Sequence, residues 1–204
     1  MINAALTVAS CQQSKTKDPS DKRIGGGCEG CEAAHEYGST RLTSTDTLPD
    51  FFKEGKKLHI TGTIFHKDGK SPAQNVILYI YHTDQTGQYP TKGDETGWDK
   101  RHGYIRGWIK TNANGKYDFY TLIPGAYPGG DNPAHIHAII KEPGYEAYWI
   151  DEYLFDDDPI LTEREKSRQP KRGGSGILKT TRTANDMMTA TRNIILGFNV
   201  PGYE

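Results

Sequence analysis

From Leu58 onward the chain alternates apolar and polar positions over short runs, each broken within a few residues by Gly, Pro, Asn or Asp. Successive side chains of an extended strand point to opposite faces, so a period of two marks strands with one face turned to a core. The pattern predicts strands over Leu58 to Phe65, Val76 to Tyr81, Tyr104 to Lys110, Ala134 to Ile140 and Tyr148 to Phe155, with a closing strand over Thr191 to Val200. Asn114-Gly115, followed by alternating Tyr117 and Phe119, predicts a tight hairpin turn, because both turn residues accept positive φ. Thr162 to Gln169 reads as a short helix and Lys171 to Gly176 as a loop. Many short strands at close spacing, with no internal repeat, predict an all-β protein built as a two-sheet β-sandwich.

The first 35 residues follow another pattern. Gln12 to Arg23 is polar, charged and aperiodic, the composition of a flexible, solvated N-terminal tether. Ahead of it, Leu6-Thr7-Val8-Ala9-Ser10-Cys11 resembles a bacterial lipoprotein signal whose cysteine is lipidated after cleavage. Met1 to Ala5 lacks the basic start and longer apolar run of a complete signal. Cys28 and Cys31 form a Cys-x-x-Cys among glycines, without the further thiolate or imidazole pair that zinc wants and without the βαβ setting of a redox site. A local disulfide is the expectation. Three cysteines then divide into one lipid attachment and one bridge, which points to a periplasmic or membrane-anchored lipoprotein of a bacterium, with a cytoplasmic location as the alternative. The division expected is 1–35 for signal remnant, tether and Cys-x-x-Cys segment, and 36–204 for the sandwich.

Composition narrows the function more than the fold. With 204 residues, 34% hydrophobic and 10% aromatic, the chain has material for one domain with a real core. A net charge of -1 without a long basic run leaves no footprint for nucleic acid or an anionic membrane surface. No run reaches the roughly 18 apolar residues of a membrane span, so a membrane link would have to come through Cys11. Small-molecule chemistry is the natural expectation.

The candidate chemistry lies where a Pro/Gly-rich turn carrying Tyr127 runs into Pro133-Ala134-His135-Ile136-His137. On a strand His135 and His137 face one way and Ile136 and Ala138 the other, an arrangement suited to one metal ion. Taken alone, such a pair is better explained by two partly buried, hydrogen-bonded histidines. Upstream, Tyr81-His82-Thr83-Asp84 runs into a Gly-containing loop ending at Tyr89, so two loop tyrosines join two strand histidines as a set of four ligand candidates.

Together with Ile105-Arg106-Gly107-Trp108, Asn114-Gly115-Lys116-Tyr117 and Glu152-Tyr153-Leu154-Phe155, these segments occur in the order found in intradiol ring-cleavage dioxygenases, and the chain resembles that family from about Lys57 to Gly202. The resemblance implies a sandwich with long active-site loops, and Fe(III) held by Tyr89, Tyr127, His135 and His137, with no organic cofactor. It implies that a catechol binds the iron through both oxygens, that Tyr127 takes up a proton, and that O2 opens the ring to a cis,cis-muconate-type diacid. Tyr127, Asn132 and Glu152 are the catalytic candidates. Asn132 stands where the family commonly has arginine, and Glu152 where it tends to have glutamine. Arg106 and Lys110 are the cations that could substitute for the missing arginine.

The partners expected are a catechol-type substrate and O2; the oligomeric state stays open, a homo-oligomer included. The competing reading is a non-catalytic transthyretin-like or carbohydrate-binding-like β-sandwich module, since fold alone does not settle function. A cupin-type Fe(II) site is set aside, because no carboxylate and later histidine stand at suitable spacing. His82 is expected to pack beside the site, Trp108 to be core, and Asp156-Asp157-Asp158 to be a solvated turn.

Overall fold

Leu58, Ile60 and Ile64 are fully buried on one face of the first long strand, as their alternation predicts. The structure is a computed structural model that describes residues 21–204; Cys11 and most of the expected tether lie outside the described residues. In chain order the strands are β1 (Thr45–Thr47), β2 (Lys57–Phe65), β3 (Ile77–Tyr81), β4 (Arg106–Lys110), β5 (Lys116–Leu122), β6 (His135–Lys141), β7 (Tyr148–Phe155), β8 (Ile177–Leu178), β9 (Thr181–Arg182), β10 (Met188–Thr191) and β11 (Ile194–Ile195). Two short helices join them, α1 (Asp99–His102) and α2 (Glu163–Arg168). The second begins with a capping box, in which Thr162 and Glu165 satisfy each other's backbone N–H groups.

The strands form two mixed sheets, ordered β1-β5-β2-β10-β9 with β11 also on β2, and β4-β3-β6-β7-β8. This is the expected all-β sandwich. Leu58, Ile60, Ile64, Tyr117 and Phe119 of the first sheet meet Leu78, Ile80, Ile136, Ile140 and Ile150 of the second in one core cluster. Burial of that apolar area, at about 25 cal/mol per Å², is the main force holding the sheets together.

The second sheet is covered on its outer face as well. Tyr79 and Ile139 form a second buried cluster there with Cys31, Ala33 and Ala34, and Trp98, Trp108 and Trp149 pack at its margin. Trp108 Nε1 donates to Ala33 O at 2.9 Å and Trp149 Nε1 to Gly27 O at 3.2 Å. The Cys28–Cys31 disulfide closes this segment, as expected from its spacing. Farther upstream, Lys22 N donates to Gly144 O and Gly25 N to Pro201 O, while Asp21 pairs with Lys141. Residues 21–35, expected as the end of the tether and the Cys-x-x-Cys segment, dock on the sandwich and shield aromatic surface.

Two further expectations are corrected. The Asn114-Gly115 turn exists, but β4 and β5 belong to different sheets, so it is a crossing from sheet to sheet and not a hairpin. Thr191 to Val200 is not one strand. The β10 run ends at Thr191, the Asn193 side chain accepts a bond from Thr63 N at 3.0 Å in place of the backbone, and only Ile194–Ile195 resumes pairing with β2.

Gly62 marks the place where these chain ends press on β2. A Cβ built there would lie 1.8 Å from the Arg192 carbonyl oxygen, a contact with main chain that no side-chain rotation relieves. Gly62→Ala should destabilise the protein by about 2 to 3 kcal/mol through overpacking, read as a lowered urea midpoint with an unchanged slope.

Candidate metal centre

The site is assembled from two loops and one strand. After β3 the chain makes a turn in which the Asp84 carboxylate accepts from Thr86 N and Gln88 N, delivering Tyr89. After β5 the Ile123 to Tyr127 segment runs alongside it, with Gly125 N donating to Asp84 O at 2.8 Å and Thr83 Oγ1 donating to Gly125 O at 2.8 Å. The two loops touch through their main chains: a Cβ at Gly87 would fall 1.9 Å from Ala126 O. Only glycine permits that approach, and the approach brings the two tyrosines together. The Asp158 carboxylate accepts from Ala134 N at 2.8 Å and from Ile160 N at 2.8 Å, which fixes the entry to β6. That anchoring role was not visible in the acidic run.

Four donor atoms converge here. Tyr89 Oη lies 2.5 Å from Tyr127 Oη and 2.8 Å from His137 Nε2. Tyr127 Oη lies 3.3 Å from His137 Nε2 and 3.2 Å from His135 Nε2, and the two Nε2 atoms are 3.2 Å apart. Donors bound at about 2.0–2.1 Å to one ion stand about 2.9 to 3.4 Å apart at ordinary angles, so three of these five separations suit a shared ion without rearrangement and the 2.8 Å between Tyr89 Oη and His137 Nε2 falls just short. The phenol pair is a hydrogen bond and would open slightly.

Both imidazoles are held by the nitrogen that faces away. His135 Nδ1 donates to Pro133 O at 2.7 Å, and His137 Nδ1 donates to Glu152 Oε1 at 2.8 Å. With Nδ1 protonated in each ring, both Nε2 lone pairs are directed at the phenols, the arrangement metal-binding histidines adopt. His135, His137 and Glu152 also stand close enough to be counted as one possible metal-binding group. Glu152 meets the far edge of the His137 ring, however, so it orients the ligand candidate instead of joining Tyr89 and Tyr127 around it.

The electrostatics agree with a site that lacks only positive charge. Burial pushes both phenols up, Tyr89 also because it hydrogen-bonds Tyr127, so neither ionises by itself near neutral pH. Burial pushes His135 down and keeps its imidazole neutral. Burial opposes ionisation of Glu152, but the hydrogen bond from His137 overrides it and holds the carboxyl below its usual range. A bound cation would supply what two phenolates need.

Two clefts flank the donors. One of about 260 Å³ is lined by Tyr127, Asn132, His135, His137 and Glu152, and one of about 370 Å³ by Tyr81, His137, Trp149, Glu152 and Cys28. Asn132 thus lies where the sequence puts it, at the cleft beside the histidines. Among the described residues no Lys or Arg lines either cleft. Arg106 pairs with Glu36 at 2.7 Å and lies over the Trp108 ring, away from the donors.

His82 packs behind the site, fully buried, with Nδ1 donating to Thr83 O at 2.6 Å and Nε2 accepting from Thr121 Oγ1 at 2.7 Å. Burial pushes its pKa down to about 4. An exposed histidine titrates near 6.5, so below that pH the unfolded chain takes up a proton that folded His82 refuses. The neutral ring's contribution is complete above about pH 6.5 and is lost between there and about pH 4, on the order of 3 kcal/mol. Urea melts from pH 4 to 7 should show that slope, and His82→Gln should reduce it, with buried His102 and His135 contributing what remains.

Comparisons with known proteins bear on the family and the fold. The family model described as Dioxygenase matches residues 32–194. The chain is 28% identical to the protocatechuate 3,4-dioxygenase beta chain of Burkholderia cepacia, over 52% of this chain and 48% of that one. It is 29% identical to catechol 1,2-dioxygenase 2 of Acinetobacter lwoffii, over 56% and 48%. The chain spans about half the length of the curated relatives it matches. Among solved structures, the dioxygenase domain of a dioxygenase carbohydrate-binding protein fusion from Streptomyces sp. SirexAA-E superimposes with TM-score 0.57 at 24% identity, covering 79% of this chain and 94% of that one. The intradiol ring-cleavage dioxygenase of Tetranychus urticae gives TM-score 0.53 at 22% identity, covering 77% and 87%. The structural likenesses carry the fold.

Proposed function

The chain belongs to the intradiol ring-cleavage dioxygenase family, and from that premise we propose that it opens a catechol-type diol between its hydroxyls with O2, giving a cis,cis-muconate-type diacid. Ferric iron is the proposed metal, held by Tyr89, Tyr127, His135 and His137. The observation that carries the reading is the convergence of two phenol oxygens and two Nδ1-anchored imidazoles on one point. Bound there, Fe(III) would supply Lewis acidity toward the diol oxygens and draw electron density from the ring. Hard, anionic oxygen donors suit a trivalent ion, whereas two histidines with a carboxylate mark Fe(II) oxygenases. A non-catalytic sandwich module would have no use for these four groups together.

The protein's own residues divide the remaining work. Tyr127, on a loop and bordering the smaller cleft, is the proposed acceptor, at Oη, of a proton from the diol. Glu152 keeps the Nδ1 proton on His137, so that Nε2 stays a lone-pair donor throughout. Asn132 offers an amide dipole toward charge growing on the ring, in a cleft without lysine or arginine.

Protein loaded with ferric iron should be red to burgundy from phenolate-to-iron charge transfer, and it should consume O2 and form the ring-opened diacid with catechol. Tyr89→Phe should weaken that band. A colourless protein that does not take up ferric iron would overturn the reading.

The second prediction concerns position 132. A cation placed there would stabilise developing negative charge in a site partly shielded from water, and oxyanion donors of that kind are worth about a hundredfold or more. Asn132→Arg should raise turnover of plain catechol by about tenfold or more, measured as steady-state O2 uptake with iron content held equal. Unchanged turnover would remove this residue from the charge-stabilising role.

A further inference from the structure

A column of four rings runs from α1 to the donor cluster. Trp98, immediately before α1, stacks on His102 with centroids 5.3 Å apart and planes 29° apart. His102 stacks on Tyr81 at 3.7 Å and 7°, and Tyr81 stacks on His137 at 4.3 Å and 17°. The outer end is anchored. His102 is buried, with Nδ1 at 2.8 Å from Tyr79 Oη, and Trp98 N donates to the Glu36 carboxylate at 3.0 Å, which Arg106 holds in turn.

The column answers a mechanical need at His137. The terminal torsion of a histidine is soft, and once an ion replaces the phenol contacts at Nε2, a single hydrogen bond at Nδ1 leaves the ring free to swing about that bond. Nε2, on the opposite edge, moves farthest in such a swing. The bond to Glu152 therefore fixes the position of one edge but not the plane of the ring. A flat face stacked 4.3 Å away blocks the swing, provided the face is itself held. Tyr81 lines the larger cleft on one side and meets His102 on the other, so its own rigidity comes from His102 and, beyond it, from Tyr79 and Trp98.

We propose that Tyr81 and His102 are positioning residues of the metal centre: their stacked faces set the plane of His137 and so aim its Nε2. The inference rests on His137 being a ligand, as read above. The tyrosine's contribution is its ring face; no hydrogen bond of its hydroxyl enters the argument.

The test compares Tyr81→Leu, Tyr81→Met and Tyr81→Phe with the wild type. Each is titrated with ferric iron against a competing chelator, and separately with cobalt(II), whose visible bands report ligand geometry. Groups that orient metal-binding histidines typically govern about 10- to 100-fold in affinity. Tyr81→Leu and Tyr81→Met should each bind about tenfold or more weakly with shifted cobalt bands. Tyr81→Phe should stay within about threefold of wild type with unshifted bands, and His102→Leu should move in the same direction as Tyr81→Leu. Thermal melts of the metal-free proteins identify any variant that has not folded, and Tyr81→Met, which refills the volume without a flat face, decides the matter if Tyr81→Leu is that variant.

Wild-type affinity and bands in both Tyr81→Leu and Tyr81→Met would overturn the proposal, as would Tyr81→Phe failing as badly as they do. A wild type that binds neither ion is a different result, which removes the ligand reading itself. A wild type that binds both but opens no catechol would remove the dioxygenase reading and leave the column standing.

Discussion

The main-chain contact between the two tyrosine loops is the constraint on which the site depends. Tyr89 and Tyr127 are 38 residues apart and follow strands of different sheets. They meet because Gly87 lets one loop rest on the Ala126 carbonyl of the other, and because Thr83, Asp84 and Gly125 exchange hydrogen bonds across the seam. The sandwich supplies the rest: β3 and β6 are neighbours in one sheet, so Tyr81 lies opposite His137 by register. Loop against loop and strand against strand bring the four donors to one place.

Once gathered, the donors are aimed by groups that would not touch an ion. A proline carbonyl and a carboxylate each hold one Nδ1, and a stack of rings backs His137. Burial keeps the phenols protonated. Two phenol oxygens and two imidazole Nε2 atoms facing one point, each imidazole held from behind, are what make these residues look like a binding site.

Much of this was legible in the sequence because it is local. The period-two runs located β2, β3, β6 and β7, and the His-x-His spacing fixed which way both imidazoles face. The resemblance in segment order identified the two tyrosines. What was not legible is what depends on pairing at a distance. The role of Glu152 follows from the register of β7 against β6, which shifts between Ile136 and Ala138 and cannot be counted from the sequence alone. The Asn114-Gly115 turn has the residues of a hairpin, and nothing local shows that the chain changes sheets there. The end of β10 is set by Asn193 capping Thr63, a side chain standing in for a ladder bond. Docking of residues 24–35 was not legible because Ile24 stands alone as a large apolar residue there and the other buried members, Cys31, Ala33 and Ala34, are small and set among glycines.

That last feature bears on what counts as the unit. Likeness to the family begins at residue 32, in the middle of the turn that covers Tyr79 and Ile139. The groups that tie the preceding residues down are the Gly27 carbonyl under the Trp149 indole, the Lys22 main chain beside Gly144, and the Asp21 carboxylate on Lys141. The family match and the packing thus draw different borders around the same sandwich: the match starts within the cover, while the physical object includes the thread that holds the cover shut.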